Sequence, residues 1–292
     1  MAACAPDEFP TVRNSDGSIE NEWGMRFIDA GLYNEFSEFP LSFAQTPADI
    51  ENYRFPDPNA KGRFDRAEKS IKKYAGEYAV IGDLETSIFE TAWYLVGLEK
   101  LLMDIIEGAP YLPVLLDKIM NINMEIGQKL IDLGVDILWA GDDFGSQQGM
   151  IMSPEIWRRV FKPRIKILFE TFRQRNPDIK IAWHSCGSIA PIIPDFIELG
   201  LDILNPIQPR ANGMDPDLLK KNYGRDLVFF GGIDVQYLLP YGKPHEVKEE
   251  VAKIARILGS GGGYIAAPAH NIQDDTPVEN IYAMYEAIKT LT

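Results

Sequence analysis

The stretch that organises this sequence is Lys180-Ile-Ala-Trp-His184-Ser-Cys186-Gly-Ser188. Its apolar first half is typical of a buried strand, and a histidine and a cysteine follow two residues apart. Because residues i and i+2 of a strand point to the same face, His184 and Cys186 aim an imidazole and a thiolate toward one point. Ligands of these two types suit zinc. The stretch therefore predicts half of a metal site, and other parts of the chain must complete it.

The composition is that of an ordinary globular protein. The 292 residues are 46% hydrophobic and 25% charged, which allows one large domain or two small ones. The formal charge is −14, with 29 basic against 43 acidic residues and no basic cluster. This balance argues against nucleic acid or an anionic membrane as a partner. The chain shows no signal peptide and no membrane span, which predicts a cytoplasmic protein. Cys4 and Cys186 are too far apart to indicate a disulfide framework.

From Tyr78 onward, short apolar strands alternate with helices, as in a buried parallel sheet. Strands are predicted at 78–81, 136–140, 180–184, 202–205, 227–230 and 263–267. Helices are predicted at 98–107, 112–133, 153–175, 192–199, 215–223 and 244–258, with a last one that the capping box Thr276-Pro277-Val-Glu279 begins. A doubly wound sheet and a (β/α)8 barrel both fit this order. The polar residues at every strand end favour the barrel, because its strand ends all meet at one mouth. The count is two strands short of eight.

The N-terminal quarter has a different character. The segments 23–28 and 33–37 flank Asp29-Ala-Gly31, which suggests a β-hairpin. We predict an irregular, hairpin-bearing cap over residues 1–75 and a (β/α) barrel over residues 76–292.

Candidate functional residues collect at the predicted strand ends. Taken singly, a carboxylate at such a place is equally well explained as a helix N-cap, and a histidine as a hydrogen-bonded part of the scaffold. Together they are more informative, because two of the three histidines and the only non-terminal cysteine lie there. His270 would complete a His2Cys zinc site with an open fourth position. The alternative is that Cys186 is a small buried apolar residue and His184 a donor within the core. The strand-end residues are Asp83, Glu85, Asp142, Asp143, His184, Cys186, Asn205, Asp234 and His270.

Five motifs follow the predicted strands or begin the helices after them. The motifs are Gly141-Asp-Asp-Phe-Gly-Ser-Gln147, Met152-Ser-Pro-Glu-Ile-Trp157, His184-Ser-Cys-Gly187, Gly231-Gly-Ile-Asp234 and Asp275-Thr-Pro-Val-Glu-Asn280. Together they resemble those of the uroporphyrinogen decarboxylase superfamily, and within it the cobamide-dependent methyltransferase branch. The resemblance extends from about Trp23 to the C-terminus and implies a (β/α)8 barrel of the uroporphyrinogen decarboxylase type, complete or lacking its first two strands.

The methyltransferase branch implies a zinc ion held by a His-x-Cys pair and a distant cysteine. His184 and Cys186 match the pair, and His270 stands where the distant cysteine is expected. The resemblance also implies a methylcobamide carried by a partner corrinoid protein, and a small molecule as methyl donor or acceptor. The remaining site residues on this interpretation are Asp142, Asp143 and Glu85 as catalytic groups, and Asn205, Asp234 and Gln147 as substrate-binding groups.

The chain departs from the superfamily in two ways. It has no N-terminal arginine-rich segment, with which the decarboxylase binds its polycarboxylate substrate, and it lacks a counterpart of the first two barrel strands. The leading hypothesis is a zinc-dependent methyltransferase, and a homo-oligomer is compatible with it. The alternatives are a decarboxylase and a truncated, non-catalytic barrel that acts as a binding protein.

Overall fold

The structure is a computed structural model that describes residues 11–31 and 34–291; Cys4 and Tyr33 lie outside these residues. The strands are β1 (Val12–Arg13), β2 (Ile19–Glu20), β3 (Arg26–Asp29), β4 (Asn34–Glu38), β5 (Ile81–Asp83), β6 (Ile137–Gly141), β7 (Lys180–His184), β8 (Ile203–Ile207), β9 (Val228–Ile233) and β10 (Tyr264–Pro268). The helices are α1 (Pro47–Glu51), α2 (Asp65–Tyr74), α3 (Phe89–Val96), α4 (Leu98–Glu107), α5 (Leu112–Asp132), α6 (Pro154–Val160), α7 (Lys162–Arg175), α8 (Ile193–Glu198), α9 (Pro216–Tyr223), α10 (Leu238–Tyr241), α11 (Pro244–Leu258) and α12 (Val278–Lys289), and a 3-10 turn at Ala190–Ile192 precedes α8.

The strands form two sheets. Strands β1 to β4 form an antiparallel sheet in chain order, and β5 to β10 form a six-stranded sheet, also in chain order, whose described strand pairs are parallel. A doubly wound sheet reverses its strand order at a switch point, and this sheet does not. The sequential order with helices between the strands is that of a (β/α) barrel, six strands of which are present in the described residues. The predicted fold class is confirmed.

Two local predictions at helix boundaries are wrong. The single helix predicted over 153–175 is two helices, α6 and α7, that break at Phe161. Pro163 lies in the first turn of α7, where its missing N–H is harmless, whereas within a continuous helix it would remove a hydrogen bond. The capping box at Thr276 is also absent, because α12 begins after Pro277 and has no side-chain cap. Helices α3 and α10 were not predicted.

The chain divides into two compact units. Unit 1 comprises Met1–Asp142 and Glu155–Ile181, and unit 2 comprises Asp143–Pro154 and Ala182–Thr292. Strand β7 crosses the boundary between them. In unit 1, Gly127 of α5 leaves room for the ring of Phe172 on α7. In unit 2, β9 packs with α10, α11 and α12 around a fully buried Met284.

The predicted hairpin is present as the antiparallel strands β3 and β4, in which Asp29 lies opposite Asn34. Within unit 1 it lies on α3, where the ring of Phe36 stacks on Tyr94 at a centroid distance of 4.4 Å. An ion pair between the buried guanidinium of Arg63 and the carboxylate of Glu22 also stabilises the N-terminal part of unit 1. The division of the chain at residue 75 stays a prediction.

Asp142 connects β6 to α3 within unit 1. It is fully buried, and its carboxylate accepts hydrogen bonds from the backbone N–H groups of Ile88 at 3.0 Å and Glu90 at 2.9 Å. The first N–H groups of a helix have no partner inside the helix, so a carboxylate from the neighbouring strand serves as their cap. Burial raises the pKa of Asp142 to about 7, although the backbone amides act in the opposite direction.

Two glycines of unit 2 bring the loops after β6 and β7 into backbone contact. Gly187 has φ +76°, and a Cβ atom at this position would lie 2.5 Å from the carbonyl carbon of Gly145. A Cβ on Gly145 would lie 2.7 Å from the carbonyl oxygen of Cys186. The approach is completed by a hydrogen bond of 2.8 Å from the N–H of Ser188 to the carbonyl of Ser146. These contacts determine where the backbone of Cys186 lies.

Within the described residues, none of the helices combines the length and the apolar character that crossing a membrane requires.

Asp142→Asn should change how stability depends on pH. Between the unfolded pKa of about 3.9 and the folded pKa of about 7, the native carboxyl binds more protons than the unfolded one. Its contribution to the free energy of unfolding is therefore largest at low pH and is lost as the pH rises toward 7. Urea unfolding at pH 5, 6, 7 and 8 should show that lowering the pH raises the unfolding free energy of wild type relative to that of the variant. If the unfolding free energies of the two proteins depend on pH in the same way, this account of Asp142 is wrong.

Gly187→Ala should destabilise the protein by about 2–4 kcal/mol, because it combines left-handed backbone strain with a collision against backbone. Gly108→Ala is the matched control, since Gly108 has a similar φ of +72° and nothing within 4 Å of a Cβ atom. The control should lose only about 1 kcal/mol. Equal losses of unfolding free energy in the two variants, measured by urea unfolding, would show that the contact between the loops does not contribute to stability.

Candidate metal centre

The three predicted metal ligands converge within unit 2. His184 ends β7, Cys186 follows two residues later, and His270 follows β10. The Sγ of Cys186 lies 3.3 Å from the Nε2 of His184, and one ligand atom from each residue lies within 4.8 Å of the other two. All three side chains are half-buried. Parallel strands bring their carboxyl ends to one rim, which explains how residues about 85 positions apart in sequence meet.

The donor set and its spacing fit zinc. Tetrahedral zinc has bonds of about 2.0–2.1 Å to imidazole nitrogen and about 2.3 Å to thiolate sulfur, so its ligand atoms lie about 3.3–3.6 Å apart. The contact of 3.3 Å between Cys186 and His184 meets this spacing. The other separations between ligand atoms are at most 4.8 Å, and only small rotations of the side chains are needed to bring them to the zinc spacing. Two histidines and one cysteine leave one position open, which is the arrangement of catalytic zinc sites.

Asp143 lies beside this ligand cluster. Its Oδ1 accepts a hydrogen bond of 2.6 Å from the backbone N–H of Cys186 and lies 3.5 Å from the Nε2 of His184. Asp143 and Asp142 are neighbours in sequence but make different contacts. Asp143 meets the cluster in unit 2, while Asp142 caps α3 in unit 1.

Asn205 lies on β8 directly opposite His184 in the parallel ladder. Its Oδ1 is 2.6 Å from the Nδ1 of His184, and its Nδ2 donates a hydrogen bond of 3.2 Å to the carbonyl of Phe230. It was predicted as a substrate-binding residue, and the structure places its amide on the ring of a predicted ligand.

Burial and a neighbouring histidine favour the neutral form of His270. Burial lowers its pKa, and the neighbouring His184 lowers it further, against an opposing effect of Asp143. The neutral imidazole is the form that donates a lone pair to a metal ion.

Gln147 and Gln208 connect the loops around Cys186. Gln147 donates from Nε2 to the Oε1 of Gln208 at 3.1 Å, and the same oxygen accepts from the N–H of Gly187 at 2.9 Å. A fully buried Ser185 adds a third link, since its Oγ accepts from the N–H of Phe144 at 3.0 Å. Neither Gln208 nor Ser185 is among the predicted site residues. The signal that could have found them is their position, because each directly follows a strand.

The remaining predicted site residues have other surroundings in the structure. Asp234 uses its carboxylate at the turn after β9, where it accepts from the N–H groups of Gln236 at 2.9 Å and Leu238 at 3.3 Å. Glu85 belongs to unit 1 and has φ +55°, which is uncommon for a residue with a side chain. Desolvation by the surrounding protein raises the pKa of Glu85, and the charge of Asp83 adds to this.

Comparisons with known proteins identify relatives of two kinds. A uroporphyrinogen decarboxylase of Pseudoalteromonas atlantica is 26% identical over 271 residues, which cover 88% of this chain and 73% of that protein. The methylcobamide:CoM methyltransferase MtaA of Methanosarcina barkeri is 25% identical over 158 residues, which cover 54% of this chain and 42% of that protein.

The fold has a counterpart among solved structures. A methyltransferase from Methanosarcina mazei superposes with a TM-score of 0.71 at 19% identity, over 92% of this chain and 76% of that one. This likeness shows the fold, a partial (β/α)8 barrel. The family model described as uroporphyrinogen decarboxylase (URO-D) matches residues 33–291. The chain therefore belongs to the uroporphyrinogen decarboxylase family, a family whose members similar to this chain include methylcobamide methyltransferases.

Proposed function

We propose that this protein is a zinc-dependent methyltransferase that moves a methyl group between a small substrate and a corrinoid carried by a partner protein. The observation that carries the proposal is the convergence of His184, Cys186 and His270 within 4.8 Å. The similarity to methylcobamide:CoM methyltransferases supports the same assignment. A corrinoid partner, a cytoplasmic location and a homo-oligomer remain parts of the proposal.

The chain's own residues would divide the work as follows. His184 and His270 would donate neutral nitrogens, and Cys186 would donate a thiolate. When bound, zinc supplies a Lewis acid for the heteroatom that carries or receives the methyl group. Asp143 lies at the cluster, so we assign to it the orientation of the substrate. The carboxylate of Asp142 is engaged by backbone amides at the start of α3. We therefore assign to Asp142 an indirect, supporting role.

Three further residues keep the roles that the sequence predicts for them. Glu85 is a candidate catalytic acid or base, since its pKa is raised from the ordinary value of a glutamic acid. Gln147 and Asp234 are candidate substrate-binding residues on the loops after β6 and β9. Both use their side chains in hydrogen bonds of those loops, so any contact with substrate would share these groups.

The ligand set favours one class of methyl donor. The resemblance implies one histidine and two cysteines, whereas this chain offers two histidines and one cysteine. Exchanging a thiolate for a neutral imidazole removes one negative charge from the site. Such a site would polarise an oxygen- or nitrogen-bound methyl donor better, and it would leave a bound thiolate acceptor less nucleophilic. We therefore place a methoxylated or N-methylated compound ahead of a thiol as substrate.

Decarboxylation is the second candidate, because the family model and the relative from Pseudoalteromonas atlantica carry that name. Its weakness is the negative charge of this sequence. A polycarboxylate substrate needs several cationic partners, and the chain has a net charge of −14.

Zinc binding should depend on the three converging residues. Wild type supplied with zinc should retain one ion after gel filtration, and Cys186→Ser and His270→Ala should lose it, as measured by elemental analysis. The half-buried side chains do not fill the core, so circular dichroism should remain unchanged. His245→Ala is the matched control, because His245 is exposed on α11 and should leave the zinc content unchanged. With cobalt in place of zinc, a thiolate charge-transfer band should appear in wild type and be absent from Cys186→Ser. A wild-type protein that binds no zinc would overturn the proposal.

Methyl transfer can be followed by the visible spectrum of free cobalamin. We expect cob(I)alamin to be methylated from alcohol, methylamine or methoxyaromatic donors faster than methylcobalamin is demethylated by thiols. His270→Cys restores the ligand set that the resemblance implies, adds one negative charge and should shift this ratio toward thiols. Loss of carbon dioxide from uroporphyrinogen without methyl transfer would establish the decarboxylase instead. If the protein binds zinc but shows neither activity, this outcome would favour the alternative of a binding protein.

A further inference from the structure

Asn205 is a buried amide that lies between two partners of different character. It is only 5% exposed, and it pairs with His184 in the register of the β7 and β8 ladder. Its backbone carbonyl accepts a hydrogen bond of 2.7 Å from the N–H of Ser185. The main chain of Asn205 thus holds the loop between the two ligands, and its side chain contacts the ring of one of them.

The carbonyl of Phe230 determines which way the amide faces. A backbone carbonyl only accepts hydrogen bonds, so the group that faces it at 3.2 Å must be the NH2 of Asn205. The opposite orientation would place the Oδ1 of Asn205 against the carbonyl oxygen of Phe230, two acceptors with no proton between them. The Oδ1 of Asn205 therefore faces His184.

The orientation of Asn205 in turn determines the tautomer of His184. The contact of 2.6 Å between the Oδ1 of Asn205 and the Nδ1 of His184 requires a proton between two acceptors, and only the ring can provide it. Nδ1 is then a protonated nitrogen, and in the neutral ring Nε2 carries the lone pair. Nε2 is the atom that lies 3.3 Å from the Sγ of Cys186.

We propose that Asn205 is a positioning residue that selects the Nδ1–H tautomer and the ring orientation of His184, so that Nε2 is presented to the ligand cluster. The part that concerns metal rests on the proposed function. The part that concerns the tautomer rests on the hydrogen bonds alone. Partners of this kind fix the rotation of a ligand ring before the metal arrives, and removing them costs about 10–100-fold in metal affinity.

The chemical type of this partner also has a consequence. A carboxylate in the place of Asn205 would pull on the Nδ1 proton and make the imidazole a more basic ligand. A neutral amide orients the ring without adding charge. The neutral amide of Asn205 and the second histidine of the ligand set act in the same direction, because each would leave a bound ion more electrophilic.

The experiment uses the tautomer as its first measurement, in the metal-free full-length protein. Long-range proton–nitrogen correlation spectra distinguish a protonated Nδ1 from a protonated Nε2 in each of the three histidines. The resonances are assigned with His245→Ala and His270→Ala. Wild type should show His184 protonated at Nδ1. Asn205→Leu should lose that signature, and Asn205→Asp should keep it, because one carboxylate oxygen can still accept the proton's hydrogen bond.

Cobalt titration is the second measurement. Asn205→Leu should bind cobalt about 10–100-fold more weakly than wild type while the thiolate band of Cys186 persists. Asn123→Leu is the matched control, because Asn123 is also 5% exposed and lies in unit 1, where it donates to the carbonyl of Ser87. This variant should change neither the tautomer nor the cobalt affinity.

The outcomes separate this inference from the proposed function. A wild type with His184 protonated at Nε2 overturns the inference whether or not metal binds, and that measurement needs no variant to fold. An unchanged tautomer and affinity in Asn205→Leu, or a tautomer lost in Asn205→Asp, overturns it as well. A wild type with a protonated Nδ1 that binds neither zinc nor cobalt leaves the role of Asn205 in place and removes the methyltransferase proposal.

Discussion

The backbone of Gly187 lies so close to that of Gly145 that neither position has room for a Cβ atom. The site in unit 2 depends on this contact, because Cys186 is held between the close approach on one side and the strand β7 on the other. Asp143 and Gln208 then bind the amides of Cys186 and Gly187. A thiolate on a loop needs such restraint, since a loop without it would spread the ligand atoms over distances that zinc does not span.

Two adjacent aspartates show how one strand end supports two different structures. Asp142 is buried among the amides that begin α3, and Asp143 faces the ligand cluster. Asn205 on β8 likewise has two roles. Its backbone carbonyl accepts a hydrogen bond from the N–H of Ser185, and its side chain contacts the ring of His184. In the first case two neighbouring residues divide the scaffold and the site between them, and in the second the main chain and the side chain of one residue do so.

Sequence patterns predicted the repeating parts of this molecule well. Strand β7 occupies 180–184 as predicted, and the other parallel strands lie within a few residues of their predicted places, because buried strands leave long apolar runs. Predictions were wrong where a single residue decides a boundary. Pro163 splits the predicted long helix into α6 and α7, and Thr276 does not cap α12. Boundaries depend on tertiary contacts that compete with local preference, such as the carboxylate of Asp142 that caps α3 from a strand about 50 residues away.

The sequence by itself determined the parallel β/α repeat and the identity of the three converging residues, because periodicity and strand-end position are properties of a linear pattern. Only the tertiary structure decided which polar groups meet those three residues. Nothing in the sequence distinguishes Asp143 from Asp142, or shows that Asn205 would contact His184 instead of a ligand in solvent. These pairings are set by the register between β7 and β8 and by the distance between two loops. Register and loop distance are properties of packed strands, and a one-residue slip would send every one of these side chains to the opposite face.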